Sequence, residues 1–420
     1  MWLSDLKIVL PDRVLEHGSV EIVDGKIASV LEGTAPGDVP SLDGLTLIPG
    51  LVDLHGDMLE RDVLPRPTAR FPTEVGLLEL DKRLAGAGIT TAFAAISFEW
   101  ESGDLRSEES AVEMVESINR LNHVTLVDMY VHTRFEVTNP EIAPILQRLL
   151  EQDQVQLVSI MDHTPGQGQF RDIDRYLNFM EKWLGAGMDI LSDTKDAVLE
   201  KMKENIAAAA EKPHNRDVVR KLLEVAQAHN VPVASHDDDT EEKVALHAGM
   251  GVTISEFPVS FEAAHAAREH DMAVIMGAPN AFRGQSTSNN LSARDAIAEG
   301  LVDILATDYY PAAMLHAAFK LAAEGVLPLH ESVRLVSTNP ARAVGMVDRG
   351  SIKTGQCADL VLIHENDDGY PRVRGTIRNG HPIYWDSHLA SVSDLTSQFR
   401  IEGETGVPSQ GRRNSPGGGN

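Results

Sequence analysis

A histidine and an aspartate stand two residues apart in His55-Gly56-Asp57, directly after the run Pro49-Gly50-Leu51-Val52-Asp53-Leu54. Side chains alternate faces along a strand, so residues two apart point the same way. This pair therefore offers an imidazole nitrogen and a carboxylate oxygen to one cation. Five further strand ends carry ligand-type residues: Val131-His132-Thr133-Arg134-Phe135-Glu136, Met161-Asp162-His163, Ser235-His236-Asp237-Asp238-Asp239, Ser255-Glu256 and Thr307-Asp308. Imidazole and carboxylate together suit Zn2+, with Mn2+ and Fe2+ as alternatives, as one ion or two. Such an ion lowers the pKa of bound water and polarises the bond to be cut. A carboxylate beside that water can take its proton. Asp308 is the candidate for this base, or it caps the following helix, or it does both. His229, His247, His265, His270 and His316 fall in helical stretches and are assigned no site role.

Arg66, Arg134 and Arg283 lie in loops or strand ends near these positions. Guanidinium forks match phosphate oxygens. The segment Arg283-Gly284-Gln285-Ser286-Thr287-Ser288-Asn289-Asn290 is either an anion-binding loop, with Ser286 and Asn290 as candidate contacts, or only a turn. Asp237 to Asp239 is either a solvated acidic run or a helix cap.

The elements that must position these residues are short apolar runs followed by Gly, Pro or polar residues and then a helical pattern. They fall at 51–55, 89–97, 125–132, 155–162, 231–235, 251–256, 272–277 and 303–307. This alternation predicts an α/β protein built on a (β/α)8 TIM-like barrel, whose active sites lie at the C-terminal ends of the strands. Outside it, residues 6–10, 19–23, 45–48, 359–363 and 374–378 read as strands, with Asp24-Gly25 and Asn379-Gly380 as turns. They predict a small β-sandwich domain formed by the two chain ends. The expected division is 1–48 with 345–390 for the small domain, 49–344 for the barrel, and a disordered polar tail at 391–420. Residues 170–212 read as a helical insertion, a lid or an oligomer contact, so a homo-oligomer is one expectation.

The balance of 37 Lys plus Arg against 63 Asp plus Glu gives a net charge of −26 over 420 residues. A surface of that sign repels nucleic acid and anionic membranes, so neither is expected as a partner. A polyphosphate substrate would need local arginines and cations to overcome the field. The one cysteine, Cys357, excludes a disulfide framework and a Cys-rich zinc site. The start Met1-Trp2-Leu3-Ser4-Asp5 lacks a basic-then-apolar leader, and no run of 18 apolar residues occurs. The expectation is a soluble cytoplasmic protein.

The motif Pro49-Gly50-Leu-Val-Asp-Leu-His55-x-Asp57 resembles the first-strand motif of the amidohydrolase superfamily. Pro65-Arg66-Pro67, Met161-Asp-His-Thr-Pro-Gly166-Gln, Ala234-Ser-His-Asp-Asp238, Glu256-Phe-Pro258, Met276-Gly-Ala-Pro-Asn280, Arg283-Gly284 and Asp308-Tyr-Tyr-Pro-Ala312 resemble one branch, the α-D-ribose 1-methylphosphonate 5-triphosphate diphosphatases of the carbon–phosphorus lyase pathway. The resemblance spans roughly 5–385. It implies hydrolysis of a small phosphorylated phosphonate: pyrophosphate leaves and the 5-phosphate stays on the ribose. It also implies metal residues His55, Asp57, Glu136, His163, His236 and Asp308, with Glu136 as a bridging carboxylate. The chain departs from the family pattern His-Thr-Asp-Asn-Leu-Glu at Gly56 and Met58. It departs from Arg-Gly-Gly-Ser-His-Ser-Gly-Asn at Gln285, Thr287 and Asn289. These changes leave the metal residues intact and alter the substrate shell. A hydrolase of amides or cyclic amides, another phosphorylated substrate, and a non-catalytic relative remain as alternatives.

Overall fold

The computed structural model describes residues 1–66, 68–98, 106–164, 167–168, 216–286 and 290–390. The predicted insertion at 170–212, the tail at 391–420 and loop positions Thr287 and Asn289 lie outside the described residues. Among the described residues, no helix is long and apolar enough to cross a membrane.

The two chain ends build one mixed sheet of seven strands. From the N-terminus come β1 (Trp2–Val9), β2 (Val14–Val23), β3 (Lys26–Glu32) and β4 (Thr46–Pro49). From the far end come β13 (Leu360–Glu365), β14 (Pro371–Arg378) and β15 (His381–Trp385), and the order is β15-β14-β13-β4-β1-β2-β3. Asp24-Gly25 and Asn379-Gly380 all have positive φ, as two-residue hairpin turns require. One face buries Leu3, Leu6, Leu47, Leu360, Leu362 and Ile377 in a core of its own. The alternate residues Ile48, Val361, Ile363 and Val373 join the core shared with the barrel.

Between these ends, eight parallel strands run in sequence order: β5 (Leu51–Gly56), β6 (Ile89–Phe98), β7 (Asp128–Glu136), β8 (Leu157–Met161), β9 (Val233–His236), β10 (Ile254–Glu256), β11 (Ala273–Gly277) and β12 (Ile304–Ala306). A bridge between Gly56 and Asp308 closes the seam at the top. Lower down, the Leu335–Val336 segment fills the gap, its carbonyls accepting from Leu305 and Val52. Each strand is buried on both faces, which is why the barrel strands read as apolar runs. Val52, Leu54, Phe93, Leu157, Ala234, Ile254, Ile275 and Ile304 fill the interior, so the barrel is a packed core with a mouth at its strand ends.

The third strand differs from its expected span. It runs over Asp128–Glu136 rather than 125–132, because His132, Arg134 and Glu136 continue the ladder with β8 into the mouth.

Candidate metal centre

Parallel register sets the strand ends level. Glu256 pairs with His236 across β10 and β9, and Glu136 pairs with Met161 across β7 and β8, two residues before His163. His55 Nδ1 lies 3.2 Å from Glu256 Oε1, and His132 Nε2 lies 3.8 Å from Glu256 Oε2. His163 Nδ1 is 3.2 Å from Glu136 Oε2. His236 places Nδ1 3.0 Å from Asp237 Oδ2 and Nε2 3.2 Å from the Arg134 guanidinium. Two sets of ligand atoms converge within 4.8 Å of one another: His55, His236 and Glu256, and His163, His236 and Asp237.

These residues fit a divalent cation on the chemistry of the donors alone. His132 donates Nδ1–H to the Leu54 carbonyl at 3.1 Å, and burial lowers its pKa to about 3. The ring is therefore neutral with a bare Nε2, which faces a carboxylate oxygen. His132 Nε2, Glu256 Oε2 and Asp57 Oδ1 are all buried without a hydrogen-bond partner. Lone pairs turned towards each other in a buried site are costly unless a cation lies among them.

At the seam, the Asp308 amide donates to the His55 carbonyl at 2.9 Å and the Asp57 amide donates to the Asp308 carbonyl at 3.0 Å. A Cβ on Gly277 would stand 3.2 Å from Asp308 Oδ2, so glycine at the end of β11 leaves room for this carboxylate. Burial raises the Asp308 carboxyl to about 7, with Asp57 and Asp237 adding to the shift and Arg134 opposing it. Asp308 does not cap the following helix, Ala313–Ala323, whose N-cap is Ala312. The 237–239 segment is neither solvated nor a cap. Asp237 and Asp238 are buried, Asp238 binds Ser235 Oγ at 2.5 Å and lies 3.0 Å from His247 Nδ1, and Thr240 caps the helix.

Of the six expected metal residues, His55, His163 and His236 fall in the converging sets. Glu136 touches His163 and also accepts from Thr138 Oγ1 at 2.9 Å. Asp57 and Asp308 sit side by side at the seam. Arg134 is buried in the mouth, while Arg66 and Arg283 are exposed in the segments after β5 and β11. Ser286 and Asn290 are half-buried.

The sequence places His132, Asp237 and Glu256 among the ligand-type residues at the strand ends, but they are not among the six metal residues that the resemblance implies. The usable signal was the level position of Glu256 and His236. Sequence reasoning missed Asp53, which accepts from Thr307 N at 2.9 Å and Thr307 Oγ1 at 2.6 Å and so locks β5 to the end of β12. A charged residue inside an apolar strand was the clue. The two departures in the first motif are neighbours in space: a Cβ on Gly56 would stand 2.8 Å from the Met58 methyl and 2.9 Å from both Asp53 Oδ2 and Thr307 Oγ1.

The sequence pattern of the amidohydrolase family matches residues 46–383. An α-D-ribose 1-methylphosphonate 5-triphosphate diphosphatase of Escherichia coli (strain K12) is 36% identical over 377 residues, 88% of this chain and 96% of that protein. A dihydroorotase of Geobacter sp. (strain M21) is 24% identical, over 85% of this chain and 88% of its own. Among solved structures, the N-acetyl-D-glucosamine-6-phosphate deacetylase of Mycobacterium smegmatis superposes with a TM-score of 0.62 at 16% identity, covering 91% of this chain and 99% of that one.

Proposed function

The chain belongs to the amidohydrolase family, and from that premise we propose that it is a metal-dependent diphosphatase of phosphonate breakdown. In this reading it cleaves a phosphoanhydride of a ribose 1-alkylphosphonate 5-triphosphate and releases pyrophosphate. The observation that carries the metal requirement is the pair of converging donor sets that share His236. The relative at 36% identity supports the substrate class.

His55, Asp57, Glu136, His163, His236 and Asp308, with Glu256 added from the geometry, would hold one or two divalent cations, with Zn2+ favoured over Mn2+ or Fe2+. When bound, such a cation supplies Lewis-acid polarisation of water and of a phosphoryl oxygen. The rest falls to the chain's own groups. Asp308 would accept the proton of the attacking water. Glu136 orients the His163 ring. Arg134, already in the mouth, would neutralise charge on the phosphoryl oxygens, where fixed donors act most strongly. Arg66, Arg283, Ser286 and Asn290 are the candidates for holding the more distant phosphates.

Metal-loaded protein incubated with ribose 1-methylphosphonate 5-triphosphate, followed by phosphorus NMR, tests the reading. Pyrophosphate from the parent, and at least about a hundredfold less from Asp308→Asn, is the expected result. No turnover with metal demonstrably bound would sink the substrate assignment and turn the search to cyclic amides.

A further inference from the structure

Three strands end with the same backbone device. Asp237, Phe257 and Asp308 follow β9, β10 and β12 with φ of 55°, 53° and 56°. Each nevertheless extends the ladder by one amide: Asp237 to the Glu256 carbonyl, Phe257 to Ile275, and Asp308 to His55. Left-handed backbone suits aspartate, whose short side chain tolerates it, and is an outlier for a bulky residue. Among the described residues, every non-glycine residue with positive φ is Asp or Asn except Thr68 and Phe257. Thr68 is exposed, whereas Phe257 is half-buried at the centre of the mouth. Pro258 follows it, and a residue before proline favours extended backbone. The local sequence thus works against this conformation, so the surrounding structure must hold it.

What the conformation achieves is the placement of one ring. The Phe257 centroid lies 4.9 Å from that of His55 at 80° and 5.3 Å from that of His236 at 75°. The two imidazoles are themselves 5.5 Å apart. The three rings form a nearly equilateral triangle, with both imidazole planes close to perpendicular to the phenyl. Hydrogen bonds to Glu256 and Arg134 each fix one nitrogen of an imidazole but leave room for rocking about it. A rigid ring packed against both imidazoles limits that motion.

We propose that Phe257 is a positioning residue that spends backbone strain to hold His55 and His236 in the orientation a cation needs. This rests on the metal reading of the site, so the experiment separates the two. Affinity for Co2+ or Zn2+ is measured by chelator competition in the parent and in Phe257→Leu, Phe257→Gly and Phe257→Tyr, together with thermal unfolding of each metal-free protein. The Leu and Gly variants should bind at least about tenfold more weakly, the scale of losing a supporting group behind a metal ligand. Phe257→Gly should unfold no earlier than Phe257→Leu, because glycine relieves the left-handed backbone. Phe257→Tyr keeps the ring and should keep parental affinity. Parental affinity in the Leu and Gly variants, or Phe257→Gly unfolding well below Phe257→Leu, would identify a mere core filler and overturn the proposal. Metal-free protein labelled at its histidines supplies a readout that does not need metal. The imidazole C–H signals of His55 and His236 should broaden in Phe257→Leu, beyond the shift that loss of the phenyl ring current brings by itself, and signals as sharp as the parent's would also overturn it. A parent protein that binds no divalent metal would defeat the metal reading alone, and the NMR result would then decide on Phe257.

Discussion

The two ends of the barrel both bury charge, and they do so in opposite ways. At the floor, Arg349 reaches Asp128 Oδ2 at 2.7 Å, Thr91 Oγ1 at 3.0 Å and Asp359 Oδ2 at 3.8 Å. Arg378 from β14 reaches the other Asp128 oxygen at 3.2 Å, and Asp359 also accepts from the Asn379 amide at 2.7 Å. Burial opposes charge on Arg349, but Asp359 and Asp128 outweigh it and keep the guanidinium protonated. At the mouth, Asp237 and Asp308 feel the Arg134 guanidinium, Glu256 lies against the buried imidazoles of His55 and His132, and Asp57 Oδ1 and Glu256 Oε2 are left bare. The floor is neutralised by the protein's own arginines and ties the small sheet to the barrel. The mouth keeps bare carboxylate oxygens that, in the metal reading, a cation would complete.

Removing a charge should therefore have opposite consequences at the two ends. Asp308→Asn is expected to cut turnover by about 10²–10⁴-fold, the range for losing a general base. The metal-free variant should be at least as stable as the parent at pH 8, because a like charge beside Asp57 is gone. Turnover and thermal unfolding measured on the same preparations check both halves, and a destabilised metal-free Asp308→Asn protein would break the comparison. Arg349→Met is the mirror case. Leaving Asp359 buried without its arginine, while Asp128 keeps Arg378, should cost about 3 kcal/mol in urea unfolding, the low end for a broken buried pair, with metal affinity unchanged.

Chelation sharpens the contrast. With metal at about 1,000 times its Kd, binding adds about 4 kcal/mol to the folded state. Stripping the ion should lower the unfolding temperature of the parent and of Arg349→Met alike, and of His236→Ala hardly at all. A large chelator effect in His236→Ala would place the ion elsewhere.

The strands were legible for the reason that makes them a barrel: burial on both faces leaves apolar runs with nothing to confuse them. The exception is instructive. In β7 the alternation of His132, Arg134 and Glu136 with Thr133 and Phe135 reads as a strand ending early, because function has placed polar groups on its inner face. His55, His163 and His236 were legible because each closes an apolar run. The bonds that make a site of them were not. Glu256 meets His55 across 201 residues of sequence, and only closing the barrel brings them together. Nor does any sequence pattern announce a phenylalanine in left-handed backbone.

Gly56 and Met58 test how tightly the mouth is tied to its supports. Threonine at Gly56 alone, as in the family pattern, would press on the Met58 methyl and on the Asp53–Thr307 lock. Overpacking of this kind costs about 1–3 kcal/mol. The pair Gly56→Thr with Met58→Asn should recover the share of that cost due to the Met58 methyl, a coupling that a double-mutant cycle in urea reads directly. Strict additivity would show that the two departures are unrelated.

The smallest effect belongs to the floor and concerns its thiol. Cys357 is buried, and its Sγ lies 3.4 Å from Asp348 Oδ2. Burial comes first in pushing its pKa up to about 12, with Asp359 and Asp348 adding to the shift and Arg349 opposing it. The thiolate is the reactive species, so native protein at pH 8 carries almost none of it. Modification by a disulfide reagent should then be slow in the folded state at pH 8, rise as pH increases towards 10, and become immediate on unfolding. Metal removal should leave the native rate unchanged, because the ion acts at the other end of the barrel. If stripping the mouth accelerated modification of Cys357, the two ends would be mechanically coupled, and the division between a floor that stabilises and a mouth that binds would have to be given up.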